Sequence, residues 1–523
     1  MADRSRDPKN IQAWLVGSGI ESLAAAVHLI HDSKVPGPNI HILDLHEGCG
    51  GRMKTFGDAT DGYFLPVECH PHFHGPCTER FLSLVPSDDP EYSSIMQAVR
   101  AFSEEQSASA TPKIKHGIQL DLKHRMDLIW FLMESEHALG SKSINQVFDM
   151  AFFQTDFWTL WSTTFGLQPW HSAVEFHRHL RKYLDDIQSL HSIRSIHRTK
   201  FNLYDSLIRP LTTHLQSQGV DFRFQIEVTN LETYPASDPT TVSAIHLRQD
   251  THEYLVTLDP QDVCIVTLGS TTTSAAMGTN TSPPPPLSHN WEAHLISEWG
   301  LWQTLAKQAP KFGDPAFFLS RAVQATVETF TTTLRGRDFL DLYDDFTREH
   351  GEARPGWSTW LPLKKSTWAL SLNLPPQPVF PDQPDDTYVL LGYALNPAGE
   401  GNSIRKPMYE CSGREVFEEV LGHLGITKSS VLEGSVTVPC GLPLGTAPFV
   451  ARRKGDRPRV IPPDTTNIAC VGQFVEMDED TTLSMEYSVR SAQVAVSGLM
   501  GTGMTTGRIK KNVLWEVFDL IKA

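Results

Sequence analysis

An α/β fold with a discontinuous Rossmann-like domain is predicted by three stretches of the sequence. The first is QAWLV, an apolar run ending in a glycine turn, GSGIES, that opens the helix-like LAAAVHLIHDS. The second is NIHILDL, a strand-like run that closes on an acid, Asp44. The third is a pair of later apolar runs, QDVCIVTLGS and TNIACVGQF, which read as strands returning to the same sheet, the second of them followed by the long helix SMEYSVRSAQVAVSGLM. Strand, glycine turn, helix and strand in that order form a βαβ unit.

Each position of the first turn has its own task. Gly17 permits the tight turn, Gly19 lets the backbone approach a pyrophosphate, and Ser22 is small enough for helix to pack on strand. The helix N-terminus then presents unpaired N–H groups and its dipole to phosphate oxygens. Asp44 stands where a carboxylate accepts from ribose hydroxyls. Nicotinamide and flavin sites share this fingerprint. EGCGGRMKT, with Gly50, Gly51 and Arg52, resembles the second glycine-rich turn of flavoproteins of the glutathione-reductase and amine-oxidase type, which tips the expected cofactor to FAD.

At 523 residues the chain is long for one core, so two or three subdomains are expected. The pattern divides it into FAD-binding parts at 1–120, 201–275 and 451–500, a helical insertion at 121–200, an α+β substrate domain at 276–450 and an amphipathic helix at 501–523. The insertion is dense in aromatics (MDLIWFLMES, AFFQTDFWTLWSTTF) and reads as a region with a large apolar interior. TTTSAAMGTNTSPPPPLSHN is polar and Pro-rich and reads as a surface excursion. A net charge of -16, from 61 acidic and 45 basic side chains, argues against a nucleic-acid surface, which needs clustered Lys and Arg. Seven scattered cysteines without a CxxC pair favour reduced thiols in the cytoplasm. MADRSRDPKNIQ has no apolar segment of a secretory leader, and no apolar run reaches membrane-spanning length.

GYFLPVECHPHFHGPC gathers Glu68, His70, His72 and His74. On a strand these would share one face and suit a metal, but Pro66, Pro71, Gly75 and Pro76 interrupt any regular strand, and no metal is expected. A polar structural loop and an acid/base centre both stay open. In the second reading His70, which titrates near neutrality, is the acid or base and Glu68 orients it.

Over nearly the whole chain, ordered blocks resemble one family, the oleate hydratases, also called myosin-cross-reactive antigens. The blocks are GSGIESLAAAVHLIHDSKVPGPNIHILD, STTFGLQPWHSAVEFHRHL, RTKFNLYDSLIRPL, GYALNPAGEGNSIRKPM, RRKGDRPRV and GQFVEMDEDTTLSMEYSVRSAQVAV. The resemblance implies an FAD that organises the site without net redox, a buried channel for a long unsaturated acyl chain, and addition of water across a cis double bond. Such hydration needs an acid to protonate one carbon, a base to activate water, and shielding of the incipient carbocation.

Three departures from the family bear on that chemistry. The family's Arg-Gly-Gly-Arg-Glu-Met string, whose glutamate is the proposed base, aligns so that the glutamate falls on His70, while Pro66, Val67, Glu68 and Cys69 replace the preceding residues. A Tyr-Asn-Gln-Tyr string reads Phe201-Asn202-Leu203-Tyr204 here, losing the first phenol and keeping Tyr204 as a candidate acid. A string associated with the substrate carboxylate reads SLNLPPQPVF, which keeps Asn373, Gln377 and Pro378 but has Val379 in place of a histidine. Hydration to a hydroxy fatty acid is the inherited expectation. Double-bond isomerisation or cyclisation of a polyene or polyketide-type substrate, and a non-catalytic flavin- or lipid-binding role, stay open beside it.

Trp170 and His171 are candidates to line the acyl channel, with an ordinary core role as the alternative. Backbone N–H groups around Gly472, Thr481 and Thr482 are expected to meet the flavin, while Glu476, Glu486 and Arg490 form structural pairs. RRKGDRPR reads as a solvated turn or as a contact for an anionic head group. GRIKKNVLWEVFDLIKA is amphipathic at helical spacing and would cover the substrate entrance or make peripheral contact with a membrane. A homodimer is the expected assembly.

Overall fold

The structure, a computed structural model, describes residues 6–66, 75–109, 120–183, 198–235, 238–286, 291–349 and 360–507. Its first sheet is made of β1 (Ala13–Val16), β2 (Ile40–Leu43), β3 (Asp221–Arg223), β7 (Val263–Thr267) and β14 (Ile468–Val471). All neighbours are parallel, in the order β14-β7-β1-β2-β3. Parallel strands covered on both faces have no solvent side, and β1 (AWLV), β7 (VCIVT) and β14 (IACV) are accordingly apolar almost throughout. The mixed α/β architecture with a Rossmann-like parallel sheet is therefore present as the sequence predicts.

Three helices position the site: α1 (Ile20–His31), α2 (Ala173–Lys182) and α3 (Met485–Met500). α1 leaves the first glycine turn with Gly19 as its N-cap, and its Leu-Ala-Ala-Ala-Val run is fully buried against α3 and the sheet. Small side chains there let helix and sheet approach closely. Ser22 contributes as predicted from its size: it is buried, and its hydroxyl lies 3.2 Å from that of Thr267 at the end of β7.

A second sheet, antiparallel, contains β8 (Ala276–Met277), β9 (Val327–Arg335), β10 (Leu361–Pro362), β11 (Leu370–Asn373), β12 (Thr387–Ala394) and β13 (Ser435–Leu442). Its order is β10-β11-β12-β9-β13-β8. β9 (VETFTTTLR) alternates its faces. Phe330 and Leu334 enter one apolar cluster with Phe339 and Trp368, whereas Thr329, Thr331 and Thr333 turn to the chain at 63–66. A third, smaller antiparallel sheet holds β4 (Glu227–Tyr234), β5 (Thr241–Gln249) and β6 (His252–Thr257).

The region from 120 to 183 is helical, and its apolar interior is filled by its own rings. Phe148 stacks on Phe152 at 4.2 Å, Phe157 on Trp161 at 5.3 Å and Phe131 on Phe176 at 5.4 Å. α2 crosses this layer and carries charge on its other side. The carboxylate of Glu175, with no exposed side-chain surface, lies 2.9 Å from Arg452 and 3.3 Å from Arg457; Glu476 lies 2.6 Å from Arg452 and 3.1 Å from Arg178. RRKGDRPR is thus not wholly a solvated turn. Its Arg452 and Arg457 are buried because Glu175 and Glu476 neutralise them, the condition under which a buried arginine is tolerated. Arg490 pairs with Glu486 at 2.8 Å and Asp480 at 2.9 Å, in keeping with the structural role expected of those groups.

Among the described residues, no helix is long and apolar enough to cross a membrane, and six free cysteines are all buried. The amphipathic run at the C-terminus lies almost entirely outside the described residues.

Candidate functional site

A cavity of about 860 Å³ lies at the carboxyl ends of the parallel strands, lined by Val16 at the end of β1, Asp44 after β2, Gly269 after β7 and Gln473 after β14. Ligands of open α/β sheets bind at this edge, and the volume is at the upper end of ordinary ligand pockets. Gly17 adopts φ +96, and a Cβ there would meet the Thr267 side chain at 3.1 Å, so only glycine takes this turn without strain. The second turn has Gly50 and Gly51 at φ +114 and +51. A Cβ on Gly51 would sit 3.5 Å from the Cα of Gly19, and the Gly50 N–H donates to the Ser18 carbonyl at 3.1 Å. The two glycine turns are therefore in contact, forming one cradle that also includes Arg52.

Asp44 is held at the cradle's edge. The backbone N–H and hydroxyl of Ser18 donate to Oδ2 at 2.7 and 2.6 Å, and the His46 N–H donates to Oδ1 at 2.7 Å. Burial opposes its charge, but the bonds from His46 and Ser18 outweigh that and keep the carboxyl below its ordinary value. The bond to Asp44, and then that to Glu298, push His46 up to about 10.

The same cavity extends to Phe56, Phe64 and Pro66, at the chain's approach to residues 67–74. Threonines of β9 hold this approach: the Tyr63 N–H donates to Thr333 at 2.8 Å, the Leu65 N–H to Thr331 at 3.2 Å, and Thr329 donates to the Pro66 carbonyl at 3.1 Å. Beyond 74 the chain is held by α3. Glu486 caps the helix Pro76–Ser83, accepting from the N–H groups of Cys77 at 3.2 Å and Thr78 at 2.8 Å and from the Thr78 hydroxyl at 2.9 Å. A carboxylate at a helix N-terminus answers both its unpaired donors and its dipole. A Cβ on Gly75 would fall 2.3 Å from the Glu486 carboxyl carbon, so this approach requires glycine.

Glu68 and His70 themselves lie outside the described residues, so their geometry is not part of the structure. The other two departures from the hydratase pattern gather near Tyr63 and Phe64. The Asn202 N–H donates to the Val379 carbonyl at 2.8 Å, Val379 is buried in the cluster that contains Tyr63, Phe64 and Leu65, and Phe380 stacks on Tyr63 at 4.2 Å. Tyr204 begins a π-helical turn, Tyr204–Ile208, with its ring 3.1 Å from where a Gly50 Cβ would be. It stands behind the second glycine turn and is not part of the cavity wall, and burial raises its phenol.

Several predicted residues sit elsewhere. His171 is buried and not at the cavity: its Nδ1 accepts from the Gln168 N–H at 2.9 Å, and burial lowers it to about 3, leaving it neutral. Trp170 keeps 38% exposure and donates to the Gln324 carbonyl at 2.9 Å, so it lines no interior channel. Gln377 spends its amide on the Pro375 and Val389 carbonyls at 3.0 and 2.9 Å, which leaves it a brace between loop and β12. Asn373, buried at the end of β11 opposite Leu391, is likewise away from the cavity wall. The Gly472 N–H donates to Ser491 at 3.0 Å and the Thr481 N–H to Asp480 at 2.8 Å; the Thr482 hydroxyl donates to Glu175 at 3.1 Å. These groups are engaged within the protein, and the wall beside them is made by Gln473, Ser484, Met485 and Ser488.

Composition concealed part of the wall. Ser270 to Thr272 and Ser274 to Met277, with Pro285 and Pro286, line the cavity, although TTTSAAMGTNTSPPPP reads as a surface excursion. Thr273 is buried by the Trp299 indole, whose N–H donates to it at 3.2 Å, and β8 pairs with β13, so this polar segment is drawn inward. Glu21 and His46 were also unread as cavity residues; position two of the fingerprint helix was the available signal for Glu21.

Glycines aligned on one cavity at a helix N-terminus, beside a buried carboxylate, fit FAD as the occupant and define a dinucleotide-binding α/β protein. The sequence profile of the MCRA family matches residues 10–497, and the chain belongs to that family. An oleate hydratase from Streptococcus pyogenes serotype M49 (strain NZ131) is 28% identical, aligning over 99% of this chain and 90% of that protein. A linoleate hydratase from Lactiplantibacillus plantarum is 26% identical over 94% of each chain. Among solved structures, a cyclohexylamine oxidase from Brevibacterium oxydans IH-35A superposes with a TM-score of 0.49 at 13% identity, covering 94% of this chain and 99% of that one. An oxidoreductase from Methanosarcina mazei gives a TM-score of 0.45 at 13% identity, covering 92% and 100%.

Proposed function

We propose that the chain is an FAD-dependent enzyme without net redox that acts on a carbon–carbon double bond of a long unsaturated fatty acid, adding water to give a hydroxy fatty acid. The observation that carries this is the continuity of one cavity from the glycine cradle to Phe64 and Pro66, where the chain enters the segment bearing Glu68 and His70. The activities of the two relatives, oleate and linoleate hydratase, supply the substrate class. FAD, when bound, supplies an organising electrostatic surface beside the double bond. In this reading His70 takes a proton from water as the oxygen bonds to one carbon and Glu68 orients the imidazole, while the proton for the other carbon comes from a donor other than Tyr204, which stands outside the cavity wall. The buried Phe64 supplies the apolar wall that shields the cationic carbon from bulk water.

A second reading, double-bond isomerisation, is favoured by one feature: His70 in place of the family's glutamate and Val379 in place of a histidine alter the groups expected at base and head group. Incubation with oleate and linoleate plus FAD, followed by mass analysis, separates the two. A gain of one water supports hydration, and an unchanged mass with a shifted ultraviolet spectrum supports isomerisation. Unchanged substrate with flavin bound supports a binding role alone. Full turnover by His70→Ala would remove that residue from the mechanism. Peripheral membrane contact and a homodimer accompany this reading and are tested by vesicle sedimentation and by light scattering.

A further inference from the structure

The fingerprint helix carries an acid where a bare fingerprint leaves room for phosphate. Glu21 is in the first turn of α1, and its Oε1 lies 2.7 Å from where a Gly19 Cβ would be and 3.5 Å from where a Gly472 Cβ would be. The carboxylate thus occupies the space that two glycines leave open beside the helix N-terminus. Its own backbone and the hydroxyls of Ser488 on α3 and Thr267 on β7 act on it in favour of the charged form. The charged group acting on it is Arg52 of the second glycine turn. The remaining ionisable groups of the cavity wall are Asp44, His46, Lys54, Glu227 and Glu298.

We propose that Glu21 is a built-in anion at the diphosphate position, so that FAD binds together with uptake of a proton by this side chain. The inference rests on reading the cavity as an FAD site. A diphosphate and an ionised carboxylate cannot share the donors of one helix N-terminus without strong repulsion, whereas a protonated Glu21 removes the charge and offers a hydrogen bond to a phosphate oxygen. Burial, the largest influence on Glu21, already favours its neutral form. Gly19 and Gly472 therefore have a second use in this chain: they accommodate the acid when no dinucleotide is present.

FAD binding to deflavinated protein, followed by flavin fluorescence between pH 5.5 and 8.5 for wild type, Glu21→Gln and Glu21→Ala, tests this, with thermal melts confirming that each is folded. A single linked proton weakens wild-type affinity by up to about tenfold per pH unit above the titration of Glu21. Glu21→Gln and Glu21→Ala are expected to flatten this slope and to bind at least about tenfold tighter at the alkaline end. Equal affinity and equal slope in wild type and variants overturn the proposal, and so does a tighter Glu21→Gln beside a flat wild-type profile. If no folded form binds FAD at any pH, the reading of the cavity falls, and the inference falls with it.

Discussion

Around the cavity bulk has been removed, with glycines in both turns and serines and threonines along the wall; between 120 and 183 bulk accumulates until Phe, Trp and Tyr rings meet one another. Both regions stand out in the sequence, and the cavity of about 860 Å³ lies in the first. Aromatic density alone does not announce a channel, because rings satisfy one another at centroid distances of about 4.5–7 Å and close the interior. Small residues at fixed spacing do announce a ligand here, since the cavity lies against both glycine turns.

The largest expected effect tests the filled region. Trp161 has no exposed surface and lies against Phe157, Phe165 and Phe176. Trp161→Ala is expected to cost about 3–5 kcal/mol in denaturant unfolding. FAD affinity should hardly move; a large loss of FAD affinity with little loss of stability would make the aromatic layer part of the binding site and break the contrast. Next comes the emptied region. Gly17→Val forces a branched side chain into φ +96 and against Thr267, a strain of about 1–3 kcal/mol. Its larger consequence is loss of flavin retention on desalting, read as absorbance.

A smaller effect concerns Glu328, which is neither enclosed by partners nor opened to a ligand. It is fully buried on the Phe330 face of β9, and neither carboxylate oxygen has a hydrogen-bond partner among the described residues. Burial pushes it up to about 8. The folded chain therefore keeps a proton that the unfolded chain releases above about 4.5, its ordinary value. Stability from this group is fully present below that pH and falls as pH rises toward 8, by at most about 1.4 kcal/mol per pH unit. Glu328→Gln should remove this component from the alkaline side of a melting-temperature profile; an unchanged profile means the group is already ionised. His171, lowered to about 3, acts in the opposite direction, taking stability away as pH falls below 6.5.

The parallel sheet and the contact of helix with sheet were legible because they depend on local patterns: apolar runs, glycine spacing and a small residue at Ser22. The cavity wall between Ser270 and Met277 was not, because a polar, Pro-rich run looks the same whether it meets solvent or a binding site. Arg452 and Arg457 misled for a related reason. Their charge is cancelled by Glu175, far away in sequence, and no local pattern reveals such a partner. His171 and Gln377 are polar groups consumed by neighbouring backbone, which only tertiary contacts disclose.

Glu486 and the threonines of β9 grip the chain on either side of residues 67–74, one from the helix that backs the first sheet and the others from the second sheet. Neither grip uses the side chains between them. The frame on either side of residues 67–74 is therefore set by contacts that lie outside that segment. Substitutions between the two posts should therefore leave the melting temperature of the frame nearly unchanged, because the bonds that fix it come from Glu486 and from the threonines of β9.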